Sequence, residues 1–149
     1  MSKLTAYSAI GIYIVCWIVL TLSAPQVLSD NNTFMKGFIN QELLTMLGVI
    51  VALTIGAATN LHIELNKIEE RKKRVAFDRA RKTIKQSISW LLWMFLAALI
   101  LVVIKPLLVG YGERALSFLN GLALLILFVN FLVLIDLTHA VFELKPKIN

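Results

Sequence analysis

The sequence predicts an all-α integral membrane protein with four transmembrane helices and both termini cytoplasmic. Three observations lead there. Four windows, at about 4–24, 43–65, 88–108 and 115–137, are apolar over the roughly 20 residues a helix needs to cross a hydrocarbon core. Charge is gathered into one block, residues 60–85, which holds nine of the fifteen Lys and Arg and four of the nine Asp and Glu. None of the windows alternates with the two-residue period of a barrel strand, and backbone groups in lipid must be satisfied within their own segment.

Composition supports the same class. The 149 residues are 58% hydrophobic and 16% charged, with a mean hydropathy of +0.79. Soluble domains are about 45–50% apolar and about 25% charged. A core of this size leaves much of its surface in contact with solvent, so that solvent is expected to be lipid. The formal net charge of +6 adjoins apolar spans, which points to anionic head groups before nucleic acid.

The first span, about 4–24, follows Lys3 and ends at Pro25. It is read as retained, because its apolar run exceeds the usual h-region and Leu22 sits at −3 of the only plausible cleavage site. Cys16, the single cysteine, lies within it, so no intrachain disulfide or cysteine metal cluster is expected. A loop at about 25–42 follows. Leu28, Phe34, Met35, Phe38 and Ile39 punctuate it, and part is expected to lie in the interface as a short amphipathic turn. Asn31-Asn32-Thr33 matches the glycosylation sequon, a tripeptide common by chance.

In the second span Gly48, Ala52, Gly56 and Asn60 recur every four residues, with Glu64 one step further. Small residues at this spacing let helices approach closely, and a polar one can bond across the seam. The stripe suits either another span of the same chain or a second subunit, so homo-oligomerisation is one expectation.

No Gly or Pro occurs between Gly56 and Pro106, so the second and third spans can continue as helices beyond the membrane. Leu61, Leu65 and Ile68 share one helical face with Lys72 and Val75; Phe77, Ala80, Ile84 and Ile88 share another. The change of face places a turn at about 75–78, with Asp78 as the cap of the next helix. The expected result is a basic cytoplasmic helical hairpin over about 61–87. Glu69–Lys73, Glu70–Arg74 and Asp78–Lys82 are i,i+4 pairs that support its helices. Arg71, Lys72, Arg79 and Lys85 are then surplus. Together with Lys73, Arg74, Arg81 and Lys82 they form the candidate surface for a cytosolic protein or an anionic leaflet. Direct nucleic-acid binding is not expected, since Phe77 alone offers a ring for base stacking.

The third span, about 88–108, opens with Trp90 and Trp93, which with Tyr7 suit an inner aromatic belt. Lys105 near its outer end is expected to snorkel outward. Gly110-Tyr111-Gly112 makes the second outer turn, with Tyr111 in the outer belt. In the fourth span, about 115–137, Asn120 lies near the outer end and Asn130 is the best candidate for an interhelical hydrogen bond. Asp136 and His139 leave the membrane at the depth of His62 and Glu64, and these four could meet in one cluster. The plainer expectation is interfacial side chains reaching water.

Orientation follows from Lys and Arg. With the N-terminus inside, Lys3, the nine of the block, Lys145 and Lys147 are cytoplasmic, against Lys36, Lys105 and Arg114 outside. That bias predicts both termini inside; with no repeat or linker, a single four-span domain, 1–149, is expected, in a bacterial inner (plasma) membrane.

Catalysis has little support: there is no nucleophile elbow, phosphate loop or HExxH. No enzyme activity, cofactor or metal is expected. The layout resembles small four-span subunits that anchor or sense for a cytosolic partner, including those of some bacterial phage-defence systems. The resemblance is architectural and implies a non-enzymatic anchor or sensor subunit, probed first at Arg71, Lys72, Arg79 and Lys85. The alternative is an oligomeric pore or membrane-disrupting effector with Asn130 lining its axis. A small-solute transporter ranks third, because no carboxylate lies in mid-span.

Overall fold

The computed structural model describes residues 3–72 and 78–143, with side chains placed at 4–70 and 81–139. All regular structure among them is helical: α1 (Lys3–Ser23), α2 (Pro25–Leu28), α3 (Thr33–Gly37), α4 (Leu43–Lys72), α5 (Asp78–Leu108) and α6 (Glu113–Glu143). Four of these helices are long and apolar enough to cross a membrane. The expected turn at about 75–78 lies largely outside the described residues; α5 opens at Asp78.

The bundle has two unlike ends. At one, residues 25–42 and the turn at 109–112 close the helices over; this is the capped end. At the other lie the start of α1, the facing ends of α4 and α5, and the end of α6; this is the hairpin end. α4 has 30 residues and α5 31. At 1.5 Å per residue each is about 45 Å long, against a hydrocarbon core of about 30 Å. Both therefore outrun their apolar segments.

Two clusters hold the helices together. Toward the cap, Leu43 and Leu47 of α4, Ala98 of α5, and Ala123 and Ile126 of α6 are buried together with Ile39. Toward the hairpin end, Ala58 and Leu65 of α4 meet Ile84 of α5 and Leu137 of α6, with Leu61 and Ile88 packed alongside. Of the two helical faces expected in the charged block, Leu61, Leu65, Ile84 and Ile88 thus converge in one small core. Most other large apolar side chains point outward, among them Leu4, Ile12, Leu53, Val103 and Leu107. A soluble protein buries such residues, whereas in lipid they contact their own solvent.

α1 docks on α6 through a seam made close by one glycine. A Cβ at Gly121 would lie 2.0 Å from Nε1 of Trp17, so only the bare backbone lets the indole lie there. Tyr13 donates its hydroxyl to the Gly121 carbonyl at 2.9 Å and stacks on Phe128. Trp17 packs on Phe118, and Ser117 donates to Thr21 at 3.2 Å. The close approach thus falls at Gly121 of α6 and not on the small-residue stripe of the second span.

Candidate functional site

The capped end is where the structure departs furthest from expectation. Within residues 25–42 α2 tucks against α6, with Leu28 and Ser29 buried, while Val27 and Phe34 stay exposed. Pro25 at the first position of α2 starts a helix without needing its own N–H. Asn32 caps α3 by accepting from the Phe34 amide at 3.0 Å. Its side-chain nitrogen donates to the Val27 carbonyl. Asn31, the sequon residue, donates to Glu113 at the start of α6. The helix then breaks: Ile39 (ψ 66°) and Asn40 (φ −156°, ψ −143°) are non-helical.

That break has a use. The Ile39 carbonyl accepts from Nζ of Lys105 at 3.0 Å, and the same ammonium pairs with Asp30 at 2.8 Å. Asn120 donates to the Leu28 carbonyl at 2.8 Å and to Asp30 at 3.0 Å. Lys105 is only 7% exposed. It does not snorkel, because snorkelling would leave Asp30 half-buried without a counter-charge. One cation, one carboxylate and one amide, drawn from three parts of the chain, fasten the cap to α5 and α6. A signal for this was present: a Lys within an apolar run calls for a counter-ion. The acids available at this end are Asp30, Glu42 and Glu113.

At the hairpin end the charges are arranged otherwise. Arg81 reaches across from α5 to α4, donating to Asn66 at 2.7 Å and to Glu69 at 2.6 Å. It is a clamp between the helices. Lys82 and Lys85 of the candidate surface are exposed. Glu64 pairs with Lys67 at 2.9 Å one turn along α4. The side chains of Arg71, Lys72, Lys73, Arg74 and Arg79, and with them the expected pairs to Lys73, Arg74 and Asp78, lie outside those described.

The remaining candidates separate. His62 shares a groove with Arg81 and Lys85 between α4 and α5, while Asp136 lines a cleft between α1, α5 and α6. His62, Glu64, Asp136 and His139 are not brought into one cluster, and no trio of metal-ligating side chains occurs among the described residues. Asn130 is fully buried and donates to the Ile126 carbonyl of its own helix at 2.9 Å. Its carbonyl oxygen has no partner, so the expected interhelical bond is not formed, and a side chain enclosed by its own bundle cannot line an axis between subunits. Ala52, Gly56 and Asn60 face outward; at Gly48 an added Cβ would lie 3.7 Å from the Phe95 ring of α5. The stripe is therefore scarcely used within the chain.

Fold and site together define a helical bundle with four helices long and apolar enough to cross a membrane, one end locked by a buried ion pair and the other presenting exposed charge. Comparison with family models, characterised proteins and solved structures finds no match for this chain.

Proposed function

We propose that the chain is a non-enzymatic anchor or sensor subunit of a bacterial inner membrane. In this reading the α4–α5 end is cytoplasmic and docks a cytosolic protein or the anionic leaflet. The observation that carries it is the division of labour among the basic residues. Arg81 is engaged in clamping α4 to α5, while Lys82 and Lys85 on the same helix stay exposed. A clamped helical pair presents those lysines, with Arg71, Lys72, Lys73, Arg74 and Arg79 nearby in sequence, on a stiff support. Stiffness lowers the ordering entropy lost on docking. The charge bias across the spans supports the orientation, and the outward-facing part of the small-residue stripe, Ala52, Gly56 and Asn60, supports association of two or more copies.

The test is replacement of Arg71, Lys72, Lys82 and Lys85 by Gln, with Arg81 kept and topology checked by reporter fusions at both termini. Near an anionic surface each lost charge is worth about 1 kcal/mol. Partner recovery from native membranes, or binding of the detergent-solubilised chain to anionic vesicles, should fall at least a hundredfold. Unchanged recovery together with unchanged vesicle binding sinks the reading. Chemical crosslinking in membranes tests association, and crosslinks should disappear when Gly56 is replaced by Leu.

A further inference from the structure

A groove of about 300 Å³ runs between α4 and α5 toward the hairpin end. Its α4 wall carries Ile55, Thr59 and His62, and its α5 wall Arg81, Lys85 and Ile88. Sites for small molecules run from about 300 to 1,000 Å³, so this one suits a head group and the first part of a chain. The two walls are antiparallel and held in register, because Arg81 donates across to Asn66 and Glu69. Going inward from the hairpin end, Arg81 therefore comes first, then Lys85 with His62, then Ile88 with Thr59, and then Ile55.

The polar end of the groove is basic. Arg81 spends its charge on Glu69, so the uncompensated cation is Lys85. That lysine is exposed and takes part in none of the ion pairs among the described residues. His62, on the facing wall, is exposed as well and offers an N–H in either neutral tautomer. No Asp or Glu lines the groove among the described residues. The complementary group is an anion, and an ammonium joined to that anion finds no carboxylate here to pair with.

Depth says what carries the anion. Trp90 and Trp93 of α5 are 55% and 65% exposed, as suits rings at a membrane–water interface. Lys85 precedes Trp90 by five positions, about 7–8 Å along the helix axis. It stands just outside the level of the rings, where lipid phosphates lie. Inward of Ile88 the groove continues onto Ile55 and Leu92, both exposed and apolar. A free phosphate would use the basic end alone, whereas a phospholipid uses the whole line, from cation to aliphatic wall.

We propose that the α4–α5 groove holds one anionic phospholipid of the phosphatidylglycerol kind. Lys85 and His62 bind its phosphate oxygens, and an acyl chain runs past Ile88 and Ile55. Arg81 is a positioning residue, since its bonds to Asn66 and Glu69 fix the spacing of the walls. The proposal deepens the docking reading and rests on its premise that the hairpin end meets an anionic leaflet. It differs in being one lipid held per chain, where docking needs only a charged surface.

Native mass spectrometry of the purified full chain in mild detergent tests it, with phosphatidylglycerol, phosphatidylethanolamine and phosphatidylcholine of identical acyl chains titrated separately. One phosphatidylglycerol should be retained per chain, about fivefold more tightly than either zwitterionic lipid. Lys85→Gln should erase that preference. Lys82→Gln, one turn away and outside the lining, should leave it intact. Thr59→Trp, which fills the middle of the groove and keeps every charge, should lower phosphatidylglycerol retention to the level of the others. Equal retention of the three lipids by the unaltered chain overturns the proposal, as does displacement of the lipid by inorganic phosphate alone. Equal losses in Lys82→Gln and Lys85→Gln mean diffuse attraction, which overturns the groove and leaves the docking reading standing. Selective retention by the unaltered chain, with vesicle binding unchanged in the fourfold Gln variant, supports the groove and sinks docking. Should Thr59→Trp lose helical circular dichroism, the contrast between Lys85→Gln and Lys82→Gln decides.

Discussion

The two ends of the bundle use the same residue types to opposite effect. At the capped end Lys105 and Asp30 meet at 2.8 Å with side chains 9% and 21% exposed. At the hairpin end Lys67 and Glu64 meet at 2.9 Å with side chains 54% and 61% exposed. The distances are alike and the surroundings are not. Attraction between charges scales inversely with the local dielectric, and an exposed pair is screened and contributes little. Charge at the capped end is therefore structural: removing one member strands the other in a medium that cannot solvate it. At the hairpin end the Lys67–Glu64 pair stays exposed, while Arg81 and Glu69 are 28% and 29% exposed, between the two extremes.

The sharpest way to break this contrast is Lys105→Met. It leaves Asp30 without its cation and the Ile39 carbonyl without its donor. Loss of one member of a largely buried pair costs about 3–5 kcal/mol. The unfolding midpoint in detergent should fall accordingly, and proteases should cut within residues 25–42. The double variant Asp30→Asn with Lys105→Met should be more stable than Lys105→Met alone, because no uncompensated charge remains. A single variant as stable as the parent would show that the pair does not hold the cap.

A smaller effect is expected at the α1–α6 seam. Gly121→Ala puts a methyl group where the Trp17 indole lies, and overpacking of this kind costs about 1–3 kcal/mol. Trp17→Leu in the same chain should restore most of the loss by freeing that space. Thermal unfolding followed by circular dichroism reads both variants.

The smallest effects belong to the hairpin end. Glu64→Gln, which breaks an exposed i,i+3 pair, should shift stability by no more than about 0.5 kcal/mol. Arg81→Gln removes a half-buried clamp and should cost up to about 1 kcal/mol. The ratio between these values and the Lys105 result measures the dielectric contrast directly. If Arg81→Gln proves as damaging as Lys105→Met, the two ends are not different in kind.

Legibility varied along the chain for physical reasons. The four long helices were readable because a hydrocarbon-spanning segment must be apolar over its whole length, and such a run is visible without knowledge of neighbours. The convergence of Leu61, Leu65, Ile84 and Ile88 was partly readable, since helical periodicity puts each pair on one face. The small-residue stripe was equally visible but uninformative about packing inside the chain: Ala52 and Gly56 face outward, while the glycine that a neighbour requires is Gly121, which shares a four-residue spacing with Ser117 on the same seam. Asn130 looked like a link between helices and bonds instead within its own. Periodicity shows which residues share a face and is silent on what that face meets.

What the sequence determined alone is the set of membrane-length helices and the gathering of charge at one end, both properties of local composition. Tertiary structure alone decided that Asp30 lies beside Lys105, seventy-five positions away in sequence, that the chain breaks at Ile39 to offer a carbonyl there, and that α1 leaves a cleft beside Asp136. Each depends on how separate helices register against one another. That register is set by shape, by a missing Cβ at Gly121 and by the need of a buried charge for a partner, none of which leaves a pattern in consecutive residues.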